Sequence, residues 1–194
     1  WVLTRRCEND WIHDMGFKED DPPLTHTIAY TIRGLLESSR FLESDLRWEA
    51  LDTAAKAAAR VQTYYLHVED SLDGDSSENR KPFLLPATFN SNWEPVDTYS
   101  CVTGNAQMAI NWLRLYEIDG DEKRLTAAHK IIDQVKRTQS LNSRNRGIRG
   151  AVPGSSPCWG KYNPFSFPNW ATKFFADALM LKDIVLTTRR RPGA

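Results

Sequence analysis

The stretch that decides the fold is TGNAQMAINWLRLYEI, residues 103–118, followed after a short turn by DEKRLTAAHKIIDQVKRT, residues 121–138. In both segments apolar residues recur at intervals of three and four positions, which is the spacing of one buried face of an α-helix. The polar turn Asp119-Gly120-Asp121 between them is typical of two antiparallel helices joined directly. The stretch therefore predicts a helical hairpin.

The same periodicity predicts three more helices elsewhere in the chain. They cover residues 24–42, 47–65 and 169–186, and the second of them is rich in alanine, the best helix former. No segment of comparable length alternates apolar and polar residues with a period of two. We therefore assign the chain to the all-α class, with Trp48 and Trp112 expected in the core.

The hairpins are predicted to be repeated and stacked. When the segment from His26 is laid over the segment from Thr103, an offset of about 77 positions aligns Leu36 with Leu113. The segment from Asn169 looks like the first helix of a third copy. Stacking follows because a single hairpin cannot bury its apolar face alone.

Two long connections separate the predicted hairpins. Residues 69–99 and 140–168 exceed the usual link between helices, and loops of this length in a compact domain are functional or disordered. Their high aromatic content argues against disorder. We therefore expect ordered loops, with a flexible tip only at residues 73–77.

The composition excludes several classes of protein. The 194 residues include 25 Lys and Arg against 25 Asp and Glu, whereas a general nucleic-acid binder has a basic excess. No apolar run approaches the length of about 18 residues that a membrane-spanning helix needs. The chain has no H-E-x-x-H motif and no cysteine pair, so we expect no metal and no cofactor. The absence of an N-glycosylation acceptor favours a cytoplasmic protein.

The runs PLTHTIAYTIRGLLE, residues 23–37, and TGNAQ, residues 103–107, resemble the inner helices of α/α-toroid proteins. The run DGDEKRLTAA, residues 119–128, is similar to their inter-helix turn. That superfamily includes six-hairpin glycosidases, sugar 2-epimerases, uronate-acting lyases and epimerases, and terpenoid cyclases with their prenyltransferase relatives.

The resemblance implies one incomplete toroid domain or fragment, equivalent to the C-terminal half of a toroid. Its expected parts are an N-terminal segment 1–22, a hairpin 23–68, a loop 69–99, a hairpin 100–139, a loop 140–168 and a final helix 169–188. A half-toroid would close its core by pairing as a homodimer or with a missing N-terminal half.

The resemblance also implies where a site lies. In such toroids the inner helices begin at one end and the long loops gather over it, where unpaired backbone N–H groups suit polar or anionic ligands. The helices would contribute His26, Tyr30, Asn105, Gln107, Trp170 and Lys173. The loops would contribute Trp93, Tyr99, Trp159 and Tyr162, and the N-terminal segment His13 and Asp14.

These residue types favour a sugar oligomer or polymer as the ligand. Aromatic rings stack on the C–H faces of sugars, and amides and charged groups hold the hydroxyls or carboxylates. We expect Trp93, Trp159 and Trp170 to form stacking walls. The alternative interpretation is that each tryptophan only pins a loop onto the helices.

A proton-transfer role is expected for His26 and Tyr30, which are four residues apart and so share one helix face. Such a pair can act as base and acid beside a carboxylate, as uronate-acting enzymes require. The alternative is a hydrogen-bonded structural histidine.

A pair of carboxylates for glycoside hydrolysis has no distinctive spacing here, and the acidic candidates are Asp14, Glu19, Asp20, Asp21, Glu94 and Asp97. Asp177 is expected on an outward or packing face.

Two further functions remain open at this point. One is a non-catalytic helical-repeat module that binds a protein partner, which would expose large apolar patches. The other is a prenyl- or terpenoid-binding or cyclase-like domain, although the chain lacks the D-x-D-D order of proton-initiated cyclases.

Overall fold

The computed structural model of the protein describes residues 1–18, 21–72 and 82–190. The acidic candidates Glu19 and Asp20 and the expected flexible tip at residues 73–77 lie outside the described residues. The five main helices are α1 (Thr25–Ser38), α2 (Ser44–Leu72), α3 (Val102–Asp119), α4 (Glu122–Lys136) and α5 (Asn169–Arg190). The expected all-α class is confirmed.

The observed elements differ from the predicted ones mainly at the end of α1, along α2 and in a pair of strands, and α5 also extends to Arg190, beyond the predicted end at residue 186. Helix α1 ends at Ser38 and passes into a 3-10 turn, Ser39–Phe41, in which the Ser39 hydroxyl donates to the Leu36 carbonyl at 2.7 Å. Helix α2 continues to Leu72, beyond the predicted end at residue 65. Two short strands, β1 (Ser100–Cys101) and β2 (Ser155–Ser156), form an antiparallel pair that the sequence did not predict.

Helix α3 lies between α1 and α5 and packs against both, and the contacts between their ends indicate that the three helices run in the same direction. The Asn111 side chain of α3 donates to the Ala29 carbonyl of α1 at 2.9 Å, and the starts of these two helices also touch. The far end of α5 reaches the start of α4, where Arg189 bonds Glu122 at 3.1 Å. Helix α2 packs against α1, and α4 packs mainly against α3.

The core lies between these helices, and α2 contributes small side chains to it. Ala54 and Ala58 are fully buried, and the indole N–H of Trp112 donates to the Ala58 carbonyl at 3.1 Å. The expectation of a buried Trp112 is confirmed. The same expectation for Trp48 is wrong, because its side chain is 72% exposed on the face of α2 opposite the buried alanines.

Both long connections cross the end where α1 and α3 begin. The Thr25 N–H donates to the Ala87 carbonyl at 2.7 Å, and the Val102 N–H donates to the Gly154 carbonyl at 2.9 Å. The helix starts, whose first N–H groups have no partner within the helix, are thereby capped by loop carbonyls. Within the described ranges no helix combines the length and apolarity that crossing a membrane requires.

Candidate functional site

A groove of about 480 Å³ lies between α1, α3 and α5. Tyr30 of α1 stands at its edge, about half exposed, with its ring centroid 5.9 Å from that of Phe174 of α5. Lys173 lies beside them, with its ammonium nitrogen 4.3 Å from the centroid of the Phe174 ring. The groove thus has an aromatic edge with a cation over it.

Charged side chains line the middle of the groove. Arg33 of α1, Arg114 of α3 and Lys173 supply three cations, and Asp177, which bonds Lys173 at 2.6 Å, supplies one anion. Asp177, expected on an outward or packing face, has a side chain that is 33% exposed on the face of α5 that borders the groove. Arg33 and Arg114 are also paired, with Glu37 at 2.7 Å and Glu117 at 2.8 Å. Cations exceed anions among the described lining residues, and an anionic ligand would share these cations with their glutamate partners.

His26 lies beside the groove, and a hydrogen bond holds one of its ring nitrogens in place. Its Nδ1 is 2.9 Å from the Oε1 of Gln107. Because an amide oxygen only accepts hydrogen bonds, Nδ1 carries the proton and Nε2 keeps a lone pair. Burial lowers the pKa of His26, against a smaller raising effect of the bond to Gln107. The imidazole is therefore uncharged at neutral pH and available as a base.

Aromatic contacts join His26 to the loop above it. Its ring centroid is 4.8 Å from that of Tyr30 and 5.7 Å from that of Tyr162. The indole N–H of Trp170, at the start of α5, donates to the Tyr162 hydroxyl at 3.1 Å. Burial raises the pKa of Tyr162. Six expected site residues thus lie in one neighbourhood: His26, Tyr30, Gln107, Tyr162, Trp170 and Lys173.

Two other expected residues, Tyr99 and Trp159, lie in a second pocket of about 630 Å³. This pocket is bounded by both loops and by Tyr64 of α2, and it shares no lining residue with the groove. The Trp159 side chain is 65% exposed. The expected mouth is therefore divided into two separate recesses.

Asn105 and Trp93 hold the loops in place. The Asn105 side chain is fully buried, accepts from the Leu85 N–H at 2.8 Å and donates to the Cys101 carbonyl at 2.8 Å. Trp93 is 8% exposed and packs edge-on against Trp11, with ring centroids 4.9 Å apart. Neither residue lines the groove or the second pocket.

The remaining acidic candidates have local partners. Asp14 bonds Arg5, Asp21 lies 3.6 Å from Lys18, and Glu94 accepts from Asn90 at 2.8 Å. His13, the other N-terminal candidate, is exposed. None of these candidates lines either recess.

The described residues contain no cluster of His, Cys, Asp or Glu that could hold a metal ion. Cys101 lies near the start of α3 but is fully buried, and burial raises the pKa of its thiol to about 12. The thiolate, which is the nucleophilic form, is therefore scarce at neutral pH. Cys7 and Cys158 are also free thiols, without a disulfide partner.

Sequence reasoning missed Arg33, Asn111, Arg114 and Phe174, all of which line the groove. A signal for them existed in the helical spacing. Positions four and seven residues after a helix-start residue lie on the same face, and this rule leads from His26 to Tyr30 and Arg33. The same steps lead from Gln107 to Asn111 and Arg114, and from Trp170 to Phe174 and Asp177.

Comparison with models of protein families, with curated proteins and with solved structures gives no match for this chain.

Proposed function

We propose that the chain binds a sugar oligomer or polymer in the groove between α1, α3 and α5, and that this sugar carries carboxylates. One observation carries the proposal: the groove places the half-exposed ring of Tyr30 and the partly buried ring of Phe174 beside Arg33, Arg114 and Lys173. Aromatic side chains offer a flat apolar surface for a sugar ring. Guanidinium groups bind carboxylates through paired N–H donors.

The parallel course of α1, α3 and α5 supports the resemblance to an α/α toroid, in which the inner helices begin at one end. The prenyl or terpenoid alternative is disfavoured by the charged side chains on the groove lining, since an apolar ligand would remove water from three cations and supply no hydrogen bond to them.

Processing of the bound sugar would use His26 and Tyr30. The neutral imidazole of His26 is the base, with Gln107 holding its orientation, and the Tyr30 hydroxyl is the acid. His26 is 8% exposed and does not itself line the groove, so this role requires a ligand that extends past the Tyr30 ring to reach Nε2.

The test of binding is a titration of oligouronates, followed by calorimetry and tryptophan fluorescence. We expect saturable binding, weakened at least about tenfold by Arg114→Gln, because a hydrogen bond to a charged group contributes about 1.5–3 kcal/mol. Arg47→Gln, at an exposed position of α2, is the matched control and should bind like the wild type. No saturable change with any oligouronate would overturn the proposal.

Catalysis is tested separately with His26→Gln and Tyr30→Phe on any oligouronate that the protein converts. We expect loss of turnover with retained binding, because both changes remove a proton-transfer group and keep most of the side-chain volume. Unchanged turnover in both variants would remove these two residues from the mechanism and leave the binding proposal intact.

A protein partner is the second candidate, favoured by the apolar far end of the groove. Met180 is 59% exposed there and Ile184 55% exposed, next to Ile110 and Leu181. Exposed apolar patches of this kind mark interfaces. A second copy of the chain would cover this end. Substituting Met180→Ser together with Ile184→Ser should then lower the mass measured in solution by light scattering, while oligouronate binding persists.

A further inference from the structure

The second pocket has two walls that the fold holds in a fixed relation. One wall is residues 97–100 and the other is residues 156–159. The β1–β2 pair joins them, with Ser100 opposite Ser156. The Tyr99 ring also packs against Gly160, where a Cβ would come within 2.6 Å of the ring. The recess is therefore built from paired backbone and a close aromatic contact.

The charge of this pocket is opposite to that of the groove. Among its described lining residues Asp97 is the only charged one. The Thr88 hydroxyl donates to the Asp97 carboxylate at 2.5 Å, and the Tyr99 hydroxyl interacts with the same carboxylate. A lone carboxylate repels an anionic ligand, but it accepts hydrogen bonds from hydroxyl groups at several positions.

An exposed indole stands at the opening. Trp159 is 65% exposed although the backbone around it is tied down, with the Gly160 N–H donating to the Pro157 carbonyl at 2.9 Å. The Phe165 N–H donates to the Cys158 carbonyl at 2.7 Å. Tyr64 and Phe83 add further ring surface to the lining. A large ring held at the surface by its own loop is an anchor for a flat ligand.

We propose that this pocket is a second binding site and that it takes an uncharged sugar ring, which stacks on the Trp159 indole and donates hydroxyls to the Asp97 carboxylate. The hydroxyls of Tyr99 and Ser156 complete a polar edge beside the stacked ring. The site goes beyond the proposed function of the groove, since it uses different residues and a ligand of different charge.

The experiment is a calorimetric titration of the whole chain with neutral oligosaccharides, namely cellohexaose, maltohexaose, xylohexaose and mannohexaose. We expect saturable binding of at least one of them, weakened at least about tenfold by Trp159→Ala, since loss of an aromatic anchor that the ligand covers removes a dominant part of the binding energy. Trp159→Phe should restore part of the affinity because it keeps a stacking surface. Asp97→Asn should weaken binding while keeping an acceptor for Thr88.

Matched controls separate this site from the groove. Trp48→Ala removes an indole of similar exposure on α2 and should leave the neutral ligand bound as in the wild type. Arg114→Gln should do the same, although it is expected to weaken oligouronate binding. The proposal is overturned if none of the four sugars binds saturably, or if Trp159→Ala binds them as tightly as Trp48→Ala. Either result can occur whether or not oligouronates bind the groove.

Discussion

Burial is the main cause of the lowered pKa of His26, whose side chain is only 8% exposed, and the bond to Gln107 offsets part of the effect. A neutral imidazole costs little to bury, whereas a protonated one without an anion beside it costs much more. The structural and functional interpretations of His26 therefore both require a neutral imidazole. A histidine kept neutral and oriented is both a satisfied core residue and a competent proton acceptor.

The lowered pKa predicts how stability changes with pH. Since the folded-state pKa of His26 lies below its unfolded value of about 6.5, the unfolded chain binds more protons in the interval between them. The free energy of unfolding should therefore fall as the pH drops through that interval. Urea denaturation at a series of pH values should show a smaller fall for His26→Gln than for the wild type.

Two other histidines bear on that measurement. His67→Gln removes an exposed imidazole of α2 and controls for the loss of one titratable group. Burial also lowers the pKa of His129, so part of the pH dependence should persist in His26→Gln. Identical pH dependence in the wild type and His26→Gln would contradict the assignment of a neutral, desolvated His26.

At the scale of elements, the helices could be predicted because their apolar spacing repeats over many turns. The predicted limits of α1 and α2 were less accurate, since a 3-10 turn after α1 and the longer course of α2 depend on local hydrogen bonds that periodicity does not encode. Trp48 was misplaced because hydrophobicity alone was used. Its position relative to Ala50, Ala54 and Ala58 already places it on the other face of α2.

The loops limited the prediction of the site. Nothing local in the sequence distinguishes Trp93, which packs on Trp11, from Trp159, which faces solvent. Asn105 has the residue type of a ligand-binding amide, but it satisfies buried backbone groups of Leu85 and Cys101. Which tryptophan or amide is exposed depends on where a long loop crosses the helices, and that is set by tertiary contacts.

The contact between the starts of α1 and α3 depends on Gly104. A Cβ at this position would lie 2.5 Å from the His26 backbone nitrogen and 2.8 Å from the Thr25 carbonyl carbon. Backbone atoms in a helix cannot move aside as a flexible side chain can. We expect Gly104→Ala to lower the free energy of unfolding by about 1–3 kcal/mol, as overpacking does, measured by urea denaturation.

Gly34→Ala is the matched control within α1. A Cβ there would meet nothing within 4 Å. The same substitution should therefore raise stability by about 0.5–1 kcal/mol through the higher helix propensity of alanine. A Gly104→Ala variant as stable as Gly34→Ala would show that α1 and α3 do not approach so closely.

For the whole molecule, a formal net charge of zero conceals an uneven distribution. Three of the four charged side chains that line the groove are cations, whereas the described lining of the second pocket carries the single charge of Asp97. Long-range attraction by net charge is absent, so any selection by charge must act within each recess. The groove would then bind sugars that carry carboxylates, and the second pocket would bind uncharged sugars.

The salt dependence of ligand affinity should distinguish binding in the groove from binding in the second pocket. Raising the NaCl concentration from about 0.05 M to about 0.5 M shortens the screening length from roughly 14 Å to roughly 4 Å, which weakens contacts between exposed charges. Arg114 and Lys173 are 40% and 60% exposed in their side chains, so oligouronate affinity should fall across this range. Affinity for a neutral oligosaccharide at Trp159 should hardly change, because its stacking and hydroxyl contacts involve no charge on the ligand. Equal salt dependence for both ligands would mean that they share one site, and the division of the mouth into two recesses would then have no functional meaning.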